Sequence, residues 1–156
     1  MPVNGNIDIE YLANFWIENI KPPLMNALDL APDDKLDWAP AEKMISLGNI
    51  FMHIPECSAW WISKLIDGID FDDLTPGQSL PKNKIAGLLD QHWQRLDGFF
   101  ARTPDILSTN YSYHHDGKDW NFEGRWIMIH VLEHDLHHRS QINQYLRILG
   151  IAPPKI

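Results

Sequence analysis

The chain has 156 residues, 44% of them hydrophobic and seven of them Trp, which is enough to bury a core and too apolar for disorder. Its net charge of −8 disfavours a nucleic-acid partner, because phosphate binding needs a positive surface and no long Lys/Arg run is present. Cys57 is the single cysteine, so no intrachain disulfide forms and nothing points to an oxidising compartment.

The N-terminal MPVNGNIDIE lacks the basic and apolar regions of a secretory signal, and no apolar run is long enough to span a bilayer. One domain over residues 1–156 and a cytoplasmic location are expected, with neither membrane nor nucleic acid as partner.

The first helix is expected from about Asp8 to Leu30, with Tyr11, Leu12, Phe15, Trp16 and Ile20 as its apolar positions. Pro22 and Pro23 predict a break or kink within it. The Pro- and Asp-rich stretch 31–44 reads as a loop.

Ser46 is a plausible N-cap for a second helix to about Ile66, kinked by Pro55 just past His53. On that helix His53 shares an inward face with Ile50, Cys57, Trp60 and Trp61. Residues 67–81 form another loop, whose acidic run DFDD (70–73) reads as solvated. A third helix spans Lys82 to Ala101, with Ile85, Leu88, Leu89, Leu96 and Phe99 at helical spacing and His92 on their face.

From Thr103 to Gly124 the chain is polar and irregular, with YSYHH (111–115) as a short strand candidate. The last helix runs from about Glu123 to Leu149 and stops at Gly150, ahead of Pro153 and Pro154. Four long helices with substantial connections describe an all-α four-helix bundle.

The segment EHDLHHRSQI (133–142) places His134 and His138 four residues apart, slightly more than one helical turn. Two imidazoles on one helix face suit a single metal ion. Wound at about 100° per residue, the helix puts both on the face of Ile127, Val131, Tyr145 and Leu149. His137 falls on the polar side with Glu133 and Gln144, and His130 lies between. A second apolar stripe, Met128, Leu132, Leu136 and Leu146, fits either a central helix or a dimer contact.

His53 supplies the third ligand, and three histidines with an open position is the arrangement of catalytic metal sites. The plain alternative is three buried histidines satisfied by hydrogen bonds. Cys57 is either a small buried hydrophobe or a fourth ligand. His92 is a core histidine or, as the catalytic candidate, a base near the metal.

HDLHH (134–138) also looks like a zinc-protease helix with Asp135 for the usual Glu. Asp135, however, is a methylene shorter and points away from the inward face. Arg139 either pairs with a carboxylate or meets an anionic substrate. His114 and His115 read as exposed, and Trp60 and Trp61 as core or pocket wall.

GNIFMHIPECSAWW (48–61) and WIMIHVLEHDLHHRSQINQYLRILGIAPP (126–154), in this order and chain length, resemble the DinB-like family of metal-dependent enzymes. Ser140 stands where a Gly is usual, and Pro55 follows the second-helix His closely; neither removes a ligand.

The resemblance implies a metal-binding four-helix bundle, often a homodimer, with His53, His134 and His138 as ligands of Zn²⁺ or Ni²⁺. It also implies, for some members, transfer of groups to or from low-molecular-weight thiols such as bacillithiol, mycothiol or glutathione. The expected function is thus a thiol-dependent, S-transferase-like enzyme acting on a small molecule, with a non-catalytic metal- or ligand-binding homodimer as the alternative.

Overall fold

The computed structural model describes residues 9–72, 77–102 and 105–155. Asp8, Asp73 and Thr103, where parts of the expected helix, acidic run and polar region fall, lie outside them. The described chain is mostly helical, with four long helical rods and one small two-stranded sheet.

The first rod comprises α1 (Ile9–Phe15), a π-helical turn (Trp16–Ile20) and α2 (Lys21–Leu30). Where a break or kink was expected at Pro22 and Pro23, the rod is unbroken, and its regular α-helix is interrupted by the π-helical turn just before them. Both prolines sit in the first turn of α2, where a missing N–H costs least, and the wider turn absorbs the disturbance before them. Pro23 has no N–H to give the Asn19 carbonyl in an α-helical bond. That oxygen receives Arg139 Nη1 instead, at 3.0 Å.

The second rod comprises α3 (Leu47–Ser58) followed by a π-helical turn (Ala59–Ile66). Ser46 is its N-cap, in extended backbone, with Oγ accepting from the Asn49 N–H at 3.4 Å and from Asn49 Nδ2 at 2.8 Å. The helical path continues through Pro55 and widens at Ala59. The loop before α3 is tied down by Gly48 N to Leu36 O and by Tyr145 Oη to Ile45 O.

α4 (Lys82–Phe100) buries Ile85, Leu89, His92, Trp93, Leu96 and Phe99, the face expected from its spacing. It packs on α1, α2 and α3.

The strand candidate at 111–115 forms, and the polar region around it, expected to be irregular, is ordered as well, which adds a sheet to an architecture expected to be all-α. A short α5 (Asp105–Ser108) leads into an antiparallel hairpin of β1 (Asn110–His115) and β2 (Lys118–Glu123). Asp116 and Gly117 form its turn at φ 50° and 72°, the paired left-handed residues of a tight hairpin. His114 and His115 are exposed on β1, as expected; His114 Nδ1 lies 2.6 Å from Asp119 Oδ1.

α6 (Gly124–Ile148) contacts α2, α3 and α5. A side chain at Gly124 would collide with the Ile106 carbonyl oxygen of α5. Gly124→Ala is therefore expected to destabilise the protein by about 1–3 kcal/mol in urea unfolding, whereas a loss below a few tenths would show that α5 simply moves aside.

The helix ends in a Schellman turn: Ile151 N donates to Leu146 O, Gly150 N donates to Arg147 O, and Gly150 has φ 78°. The apolar stripe of α6 divides. Met128 and Leu146 enter the core, while Leu132 and Leu136 are half-buried beside the exposed Ile129. No helix among the described residues is long and apolar enough to cross a membrane.

Candidate metal centre

The i, i+4 spacing on α6 sets His134 edge-on to His138, with ring centroids 4.3 Å apart and their Nε2 atoms 3.1 Å apart. The contact between α3 and α6 brings His53 to the same place, its centroid 4.9 Å from that of His134 and 5.0 Å from that of His138. One nitrogen from each ring lies within 4.8 Å of the others.

Nitrogens bound at about 2.1 Å to one ion sit about 3.4 Å apart in a tetrahedron and about 3.0 Å apart at right angles. The His134–His138 pair already meets this separation, and a nitrogen of His53 lies within 4.8 Å of both. His53 is more open than its expected inward face implies, with 46% of its side chain exposed, while His134 is half-buried and His138 buried, so the trio lies at the edge of the core and opens to solvent on the His53 side.

The electrostatics suit a cation. Burial, then the neighbouring His138 and His53, lower the His134 pKa to about 2. Burial lowers that of His138 as well, against its hydrogen bond to Gln141 Oε1, which raises it. Both rings are therefore neutral near pH 7, with a lone pair available for an ion.

Since the unfolded rings protonate below about pH 6.5 and the folded ones resist, the unfolded state binds more protons there. The metal-free protein is thus expected to lose stability as pH falls below about 6.5, and to be unaffected by these rings above it. Thermal melts in chelator check this: His134→Asn should flatten the acid-side slope, and an unchanged slope would contradict the assignment.

Glu56 and Gln141 complete the setting. Glu56 Oε2 is 3.1 Å from His53 Nδ1, and Gln141 Oε1 is 2.9 Å from His138 Nδ1. Sequence reasoning passed over both, although each lies three residues after its histidine, an offset that shares a helix face. His53 and Glu56 also line an open pocket of about 1070 Å³ together with the 37–46 loop, large enough for a small molecule.

On the other side, rings lead from His134 to the hairpin. His130 lies 6.4 Å from His134 and stacks on Trp126, while Trp61 touches both Trp126 and His130. Trp60 packs on Tyr113 of β1.

The remaining sequence candidates lie outside the trio. His92 is fully buried with both nitrogens engaged, Nε2 at 2.8 Å from Asp135 Oδ2 and Nδ1 at 2.7 Å from Ser58 Oγ. Asp135 was expected to point away from the interior. It is instead fully buried, and its Oδ2 also accepts from the Trp16 indole at 2.8 Å. Held there, Asp135 is not the water-activating residue of a protease helix.

Arg95 Nη1 donates to Ser58 Oγ at 2.7 Å and extends the chain of bonds. Arg139 is buried and donates to a backbone carbonyl rather than to a carboxylate or an outside anion. Cys57 is also buried; burial, then the Asp135 charge, push its thiol up. It is expected to resist alkylation in the native protein at pH 8, so rapid labelling would contradict this placement.

A family model described as DinB family matches residues 1–156. The chain belongs to the DinB family. Among solved structures it is similar to a DinB-like protein of Bacillus subtilis, with a TM-score of 0.70 at 17% identity over 94% of this chain and 96% of that one. It is also similar to a DinB-like protein of Bacillus cereus, with a TM-score of 0.71 at 19% identity over 95% and 97%. These two share the DinB-like fold with it. No curated protein matches the chain.

Proposed function

We propose that this DinB family member binds one divalent ion, Zn²⁺ or Ni²⁺, through His53, His134 and His138, and acts as a thiol-dependent transferase on a small molecule. The observation that carries the reading is the convergence of three imidazole nitrogens, one from each ring, within 4.8 Å. Bound there, the ion supplies positive charge that makes a thiol or water at an open position more acidic.

The protein's own residues do the rest. Neutral imidazoles leave the charge of the ion undiminished, and the pocket beside His53 admits a small thiol together with its electrophilic substrate. A cytoplasmic location agrees with this, since reduced thiols persist there. In this reading the four rods form one four-helix-bundle domain over residues 1–156.

Turnover across a panel of low-molecular-weight thiols and electrophiles tests the enzyme. Thiol-dependent activity lost in folded His138→Ala is the expected result. Stoichiometric metal without turnover across the panel would favour a non-catalytic metal- or ligand-binding protein.

A homodimer is part of the proposal because Ile129, Leu132 and Leu136 leave an apolar strip on the outer face of α6. Light scattering is expected to give a dimer at micromolar concentration and a monomer for Leu136→Glu. A monomeric wild type contradicts it.

A further inference from the structure

The three histidines are not supported alike. His53 and His138 each place Nδ1 against an oxygen three residues further along their own helix, Glu56 Oε2 and Gln141 Oε1. A carboxylate or amide oxygen accepts, so in each ring Nδ1 carries the hydrogen and Nε2 keeps the lone pair. The Nε2 lone pair of His138 then faces His134 Nε2 at 3.1 Å, which requires the hydrogen of His134 on its Nε2. His134 Nδ1 is buried and has no hydrogen-bond partner among the described residues.

We propose that Glu56 and Gln141 are positioning residues that fix His53 and His138 in the Nδ1–H form so that both turn Nε2 toward one divalent cation, and that His134 exchanges tautomer when the cation binds. The inference rests on the metal-site reading above. Outer hydrogen bonds of this kind fix ring orientation and raise ligand basicity.

When the lone pair of His134 Nε2 goes to the cation, the hydrogen leaves Nε2 and Nδ1 gains one through solvent. No proton is released overall. His134 is thereby the ligand without outer support, and Glu56 brings a negative charge to the ligand nearest solvent.

The test compares wild type, Glu56→Ala, Gln141→Ala and Glu56→Gln. Long-range proton–nitrogen NMR reads the ring tautomers, and Zn²⁺ competition against a chelator reads affinity. In metal-free wild type, His53 and His138 are expected as Nδ1–H and His134 as Nε2–H, with Zn²⁺ moving the His134 hydrogen to Nδ1. Each alanine variant should lose the preference at its own ring only and weaken Zn²⁺ by about 10–100-fold. Glu56→Gln keeps an accepting oxygen and should recover most of the loss.

An Nε2–H ring at His53 or His138 in the metal-free wild type overturns the proposal. So do alanine variants with unchanged tautomers and affinity. A wild type that binds no Zn²⁺ overturns the metal-site reading itself, which separates that failure from a failure of positioning.

Discussion

Asp135→Ala is expected to cost about 3–5 kcal/mol of stability. The carboxylate is fully buried and takes hydrogen bonds at 2.8 Å from both the Trp16 indole and His92 Nε2. Truncation strands both donors where no water replaces the acceptor, at about 1–3 kcal/mol each, and adds a small cavity. The damage spreads, because Trp16, Ser58, His92 and Asp135 come from the first rod, α3, α4 and α6, and their bonds join all four.

Asp135→Asn keeps one accepting oxygen and should lose less. Urea unfolding measures both, and a loss under about 1 kcal/mol for the alanine variant would show that the network contributes little. In that case the registry of α6 against α3, and with it the approach of His53 to His134, would have to come from apolar packing alone.

His134→Ala combined with His138→Ala should abolish specific metal binding, lowering affinity by well over about 100-fold, because loss of a single outer support already costs 10–100-fold. The fold should survive, since the hydrogen bonds of both rings stay within α6 and join no other helix among the described residues. The same variant should be more stable than wild type below about pH 6 in chelator, where the wild-type rings resist protonation in the folded state only. Residual binding within about tenfold of wild type would assign the ion to other residues.

Much of this site was legible in the sequence because helical spacing encodes direction. The i, i+4 pair His134 and His138, the inward face of α4 with His92, and the cap at Ser46 all follow from periodicity and local hydrogen-bonding chemistry. What escaped was set by departures from regular helix and by long-range partners. A regular winding hides the π-helical turns that absorb Pro22 and Pro23 and widen the second rod after Ser58.

A regular winding turns Asp135 away from the inward face, whereas Trp16 and His92 arrive from distant segments to hold it inside. The first strand of the hairpin was expected at 111–115, and its partner was missed for a different reason. Asp116 and Gly117 are a known tight-turn pair, and their signal was present, but the flanking strands are too polar to show a buried face. Glu56 and Gln141 were legible too, at the i+3 offset from His53 and His138.

The central claim is that three imidazoles share one divalent ion. Its most direct test is the metal content of protein purified without an affinity tag, followed by X-ray absorption at the edge of the bound element. About one ion per chain, with a first shell of three imidazole nitrogens lost in His53→Ala, is the predicted result. Protein that neither carries nor takes up a stoichiometric divalent ion, or a first shell without histidine, would contradict it.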